Sequence, residues 1–176
     1  MKRFKQDALL AETAFRLRAR GSWCGETHMQ KAVYFLQQLR NVPLGFTFVL
    51  YKHGPFSFDL RDELNAMVAD GFLELRPQWP YGPSLLPTAV SEELRRSFPK
   101  TLGEYGHHID FVSEEFGNKN VNELEKLATA LYVYSECAHD SPRERARVLH
   151  QLKPHIPVQD AYEALKHVGQ LAEASA

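Results

Sequence analysis

The sequence predicts a mainly α fold, with a winged-helix-like N-terminal element carrying a small β-hairpin, packed on a C-terminal helical lobe. Two observations carry this. Hydrophobic spacing is helical through residues 4–39, alternates over residues 46–51, and becomes helical again over residues 57–70. Beyond Pro87 only helical stripes follow. The expected division is a winged-helix-like lobe at residues 1–88 and a helical lobe at residues 89–176.

A first helix is expected over residues 4–19, with Leu10, Ala14 and Leu17 on one face and Gly21 as its stop. A second starts at "THMQ", where Thr27 and Gln30 fit a capping box. Its apolar residues Met29, Ala32, Val33, Phe35, Leu36 and Leu39 cover much of its girth, as in a central helix. "NVPLG" breaks the chain, and "FTFVLYK" has the aromatic and β-branched content of a strand. Gly54-Pro55 is expected to turn it. Ser57 caps a third helix with a Leu60, Leu64, Met67 stripe, ended by Gly71. "FLELR" and "SLLP" form a hairpin around "PQWPYGP", expected to be a stiff, irregular loop because of its three prolines.

In the second half, "SEELRRSF" is a short helix before Pro99. Leu102, Tyr105, Ile109, Val112 and Phe116 form one stripe, and Leu124, Leu127, Leu131, Tyr134 and Ala138 another. Joined by "GNKNV", they predict an antiparallel helical hairpin. Asn120 with Glu123, and Ser141-Pro142 with Glu144, are helix-start signals. A last helix begins near Val158.

With 44% hydrophobic and 24% charged residues, the chain reads as a globular protein rather than a disordered one. No apolar run reaches the roughly 18 residues of a membrane span. The charged N-terminal stretch lacks a signal-peptide core and is expected to be a structural helix, although its arginines resemble a transit peptide. Two cysteines, Cys24 and Cys137, give no disulfide framework, so a cytoplasmic location is expected. The overall charge of −1 hides a division. Residues 1–56 hold nine Lys/Arg against three Asp/Glu, residues 57–88 two against five, and residues 89–139 five against nine. Such asymmetry fits a nucleic-acid face, an acidic partner, or oppositely charged segments packed together.

No phosphate loop, nucleophile elbow or zinc-protease motif is present. Cys137, His139 and Asp140 are too few for a zinc site unless His107 or His108 joins them, so no metal and no cofactor are expected. Arg145 followed by His150 resembles the nuclease motif of HEPN ribonucleases, with Ala146 where those enzymes have a polar residue. A helix reading DNA needs cations and amides facing the groove. Here the third helix presents Asp59, Asp62 and Glu63 beside one Arg61. Duplex binding would have to use Lys2, Arg3, Lys5, Arg16, Arg18 and Arg20. Against this, Tyr51, Phe56, Phe58, Trp79 and Tyr81 fall in or near turns, where aromatic side chains suit a protein partner.

The pieces "MQKAVYFLQQL", "FTFVLYKHGPFSFDLRDELNAMVADGFLEL" and "ELEKLATALYVY" resemble, in order, those of the YwgA-like proteins, relatives of the SocA-like Panacea antitoxin domain. The likeness runs from Lys5 to Leu171, and Lys52-His53 departs from the aromatic that often precedes Gly-Pro. The resemblance implies a bacterial antitoxin or adaptor module with no catalytic residues, its partner a toxin or a protease-delivery component. The combined expectation is a non-enzymatic protein-interaction module using Tyr51, Phe56, Phe58, Asp59, Asp62, Glu63, Trp79 and Tyr81. A winged-helix DNA binder and a HEPN-like ribonuclease are the alternatives.

Overall fold

The computed structural model describes residues 1–137 and 141–174, apart from the side chains of Gln78 and Tyr81. Helices α1 (Arg3–Ala19) and α2 (Glu26–Arg40) lead into strands β1 (Val49–Tyr51) and β2 (Gly54–Phe56). Helix α3 (Phe58–Ala69) and the β3 (Leu73–Gln78) and β4 (Tyr81–Pro87) hairpin follow. Helices α4 (Ala89–Ser97), α5 (Pro99–Phe116), α6 (Val121–Glu136), α7 (Pro142–Leu152) and α8 (Val158–Glu173) complete the mainly α fold. None of the described helices is long and apolar enough to cross a membrane.

Helix α2 is the axis of the core. Its residues from His28 to Leu36 are all buried, because α1, α3, α5, α6, β2 and β4 surround it. Phe35 stacks on Phe116 of α5 with centroids 3.8 Å apart and planes 9° from parallel. One buried hydrophobic cluster extends from Leu9 in α1 to Val168 in α8.

Several local expectations hold. Ser57 Oγ accepts from Leu60 N–H, and Leu60, Leu64 and Met67 are α3's buried residues. Both capping boxes, Asn120 with Glu123 and Ser141 with Glu144, are formed.

Four expectations need correction. Helix α2 starts at Glu26, with Gly25 at the N-cap and no side-chain cap. Gln30 is wholly buried and exchanges two 2.8 Å hydrogen bonds with the backbone of Ser57. Those buried bonds cannot be handed to water, so they outcompete a surface cap for the amide. Gly54-Pro55 is part of a strand, not the turn: β1 and β2 pair antiparallel and the chain reverses at Lys52 and His53. Strand β1 therefore does not join the β3–β4 hairpin, as it would in a three-stranded wing. The loop between β3 and β4 is only Trp79 and Pro80, because Gln78 pairs with Tyr81 and a register shift absorbs the remaining irregularity. Finally, α5 and α6 do not form a hairpin. Helix α5 packs on α1 and α2, whereas α6 packs on α2, β2, α7 and α8. Phe116 is drawn to Phe35 of α2, and the helical hairpin is α7 with α8.

Candidate functional site

The β1–β2 turn is held by polar groups that reach it from three helices. Lys31 of α2, 1% exposed, donates from Nζ to the carbonyl of Pro55 at 2.8 Å. Lys153, at the end of α7, donates to the carbonyl of Tyr51 at 2.9 Å and also to that of Lys52. Its Nζ lies 3.0 Å from Oε1 of Glu125 on α6, a carboxylate 3% exposed. His53 and His155 each approach Glu125 at 3.5 Å from the solvent side. Burial lowers the Lys31 ammonium to about 8, with Glu125 opposing that shift. Gly54 has φ +83°, and a Cβ there would lie 2.9 Å from Thr129 Oγ1. A left-handed backbone and close contact with α6 both require glycine.

This anchor set joins the three sequence pieces behind the family resemblance. Gln30 and Lys31 lie in "MQKAVY", Gly54, Pro55 and Ser57 in "HGPFS", and Glu125 and Thr129 in "ELEKLAT".

The anchored turn presents an aromatic face. Tyr51, Phe56 and Phe58 form a triangle with centroid separations of 5.6, 5.8 and 5.2 Å. Tyr51 is 47% and Phe58 44% exposed. The Arg61 guanidinium lies 5.1 Å from the Phe58 centroid and 5.8 Å from that of Phe56. Asp59 and Asp62 are exposed beside the rings. Glu63 is not a free member of this face, because it accepts from Arg3 at 2.9 Å. Trp79, 94% exposed, stands at the tip of the β3–β4 hairpin and is not in the ring triangle. The Tyr81 side chain lies outside the described residues.

Three of the six N-terminal cations are engaged within the chain. Arg3 also reaches Asp70, at 2.6 Å. Arg16 pairs with Glu12 at 2.5 Å, with Asp110 of α5, and with the carbonyl of Gly106. Arg20 pairs with Glu114, and Arg95 of α4 completes the shell of buried Glu12. The basic first segment thus packs against the two acidic ones. Lys2 and Lys5 are exposed and Arg18 is half-buried.

Arg145 Nε donates to the carbonyl of Cys137, and its guanidinium lies 4.9 Å from the Tyr134 centroid. His150 Nδ1 is 2.7 Å from the carbonyl of Ile156. Five residues of helix separate the two by about 140° around the axis, so they point to different sides. His139 and Asp140 of the suggested metal cluster lie outside the described residues. Among those described, no three metal-ligand side chains gather. His108 accepts from Arg40 at 3.1 Å.

Beside the aromatic face lies a cleft of about 650 Å³, walled by the α1–α2 linker, α3, the β3–β4 hairpin and the α5–α6 turn. Sequence reasoning missed it. None of its lining residues was itself a candidate partner residue, and they come from five separated stretches of the chain, 21–28, 61–65, 75, 82–85 and 117–121.

Neither models of known protein families nor curated protein sequences give a match to this chain.

Proposed function

We propose that this chain is a non-enzymatic protein-interaction module, an antitoxin or adaptor of the kind the YwgA-like and Panacea resemblance implies. The carrying observation is the Tyr51–Phe56–Phe58 triangle, partly exposed on a turn fixed by Gln30, Lys31 and Lys153. Aromatic anchors that are already immobile lose little entropy when a partner covers them. Asp59 and Asp62 at the rim favour a partner segment that pairs apolar side chains with Lys or Arg. The engagement of Arg3, Arg16 and Arg20 supports ranking duplex DNA below a protein.

The test places a photo-crosslinking residue at position 58 and, as control, at exposed Val158. A defined partner should attach at position 58 alone and be lost in Asp59→Lys/Asp62→Lys. Retention of the same partners by a folded Tyr51→Ser/Phe58→Ser/Asp62→Lys variant would remove this face from the proposal.

A further inference from the structure

We propose that the cleft beside α3 is a small-molecule site for a carboxylate with a flat apolar body. Its volume of about 650 Å³ falls within the range of small-ligand pockets. Leu64, Leu75, Pro83 and Leu85 supply an apolar wall. Trp23 is set into that wall by two features. Its indole N–H donates to the carbonyl of Gly82 at 3.2 Å. Gly25 leaves room for the ring, since a Cβ there would lie 3.1 Å from Trp23 Cδ1. The indole thus links the α1–α2 linker to strand β4 and forms part of the cleft lining.

The lining also carries more positive than negative side chains. Helix α2 opens into the cleft through Gly25, Glu26, Thr27 and His28, with no side chain capping it. Its first-turn N–H groups have no intrahelical acceptor and favour an anion. Independently of that helix end, Arg61 and Lys119 line the same cleft, with exposed Glu26 the one carboxylate among the lining residues. His28, 7% exposed, is a buried polar group in the wall. Burial keeps its ring toward the neutral form, and a hydrogen bond to the Lys119 backbone opposes this. A carboxylate in the cleft therefore has the N-terminus of α2 and Lys119 in its lining, and Arg61 once that guanidinium leaves Phe56 and Phe58, while its body lies along Trp23 and the leucines.

Arg61 also touches Phe56 and Phe58. An occupant that draws its guanidinium into the cleft acts on the proposed partner face. That link rests on the proposed function, but binding in the cleft does not.

The experiment uses the full chain carrying Trp79→Phe, which leaves Trp23 as the sole tryptophan. Trp23 emission is followed during titration with 4-phenylbutyrate, 4-phenylbutan-1-ol or 4-phenylbutylamine. The carboxylate should saturate at roughly millimolar concentration, the scale ordinary for a ligand of about twelve heavy atoms. The alcohol should bind about tenfold more weakly, and the amine more weakly still. Arg61→Gln/Lys119→Gln should reduce the carboxylate to the alcohol's affinity without changing the alcohol's. No saturable response, equal affinity for all three probes, or an unchanged carboxylate affinity in the double variant would each overturn the assignment. Loss of partner crosslinking at position 58 with intact probe binding would affect the proposed function alone.

Discussion

The ammonium of Lys153 lies 3.0 Å from the Glu125 carboxylate and donates to the carbonyl of Tyr51, tying the aromatic turn to α6 and α7 through one buried charge pair. Replacing Glu125 by Gln strands Lys153 and Lys31, both buried, without their carboxylate. Removing one member of a buried pair typically destabilises by about 3–5 kcal/mol. Glu125→Gln and Lys153→Met should each lower urea stability on that scale. Their double variant should lose less than the sum by roughly 1–3 kcal/mol. Strict additivity would show that the pair does not act as a unit.

The contact between Gly54 and Thr129 gives an asymmetric prediction. Gly54→Ala introduces both a side chain at φ +83° and a Cβ 2.9 Å from Thr129 Oγ1, so it should destabilise by about 2 kcal/mol or more. Thr129→Ala removes a buried hydroxyl that has no hydrogen-bond partner and should change stability by less than about 1 kcal/mol. Thermal unfolding of both variants decides it. Equal losses would mean that the hydroxyl supports the fold and that the glycine's conformation is incidental.

These anchors mark the limit of what the sequence made legible. The Leu60, Leu64, Met67 stripe and the caps at Asn120 and Ser141 are local patterns, settled within one or two helical turns. Lys31 and Glu125 instead occupy positions that a hydrophobic pattern assigns to solvent. They are buried because α2 and α6 are enclosed on nearly every side, and each finds its partner far along the chain. The apolar residues covering much of the girth of α2 were the available sign that a polar residue among them would be buried and paired. The aromatic face was legible as turn aromatics. Withdrawal of Glu63 from it was not, because that depends on Arg3, 60 residues away. The cleft left no local pattern, since its walls meet only in the folded chain.

Engagement of the basic segment sets a limit on nucleic-acid binding. With Arg3, Arg16 and Arg20 paired, Lys2, Lys5 and Arg18 are what remain of the N-terminal set for phosphates. Each phosphate contact contributes about −0.9 to the slope of log K against log salt on duplex DNA. Duplex binding through this N-terminal set, followed by fluorescence anisotropy, should show a slope no steeper than about −3. A slope of about −5 or beyond would mean that the arginine pairs open and take up phosphates, restoring the DNA-binding alternative.

Asp7 gives the fold a pH dependence of definite sign. Its carboxyl is fully buried on α1, and neither oxygen has a hydrogen-bond partner. Arg3 Nε is 3.8 Å away, while Glu63 of α3 and Asp70 at its C-cap share that same guanidinium. Burial, then the charge of Glu63, raises Asp7 to about 7, with Arg3 opposing. The unfolded chain ionises this group near pH 4, so it holds fewer protons than the folded chain between about pH 4 and 7. Stability therefore falls as pH rises through that window and levels off above it. Asp7→Asn cannot ionise and lacks this loss. Relative to wild type, it should gain on the order of 2 kcal/mol between pH 4 and pH 8, after discounting for solvent near Arg3. Urea unfolding of both proteins at several pH values measures the difference directly. Parallel stability curves would show that Asp7 ionises normally in the folded protein and that Arg3 alone balances its charge.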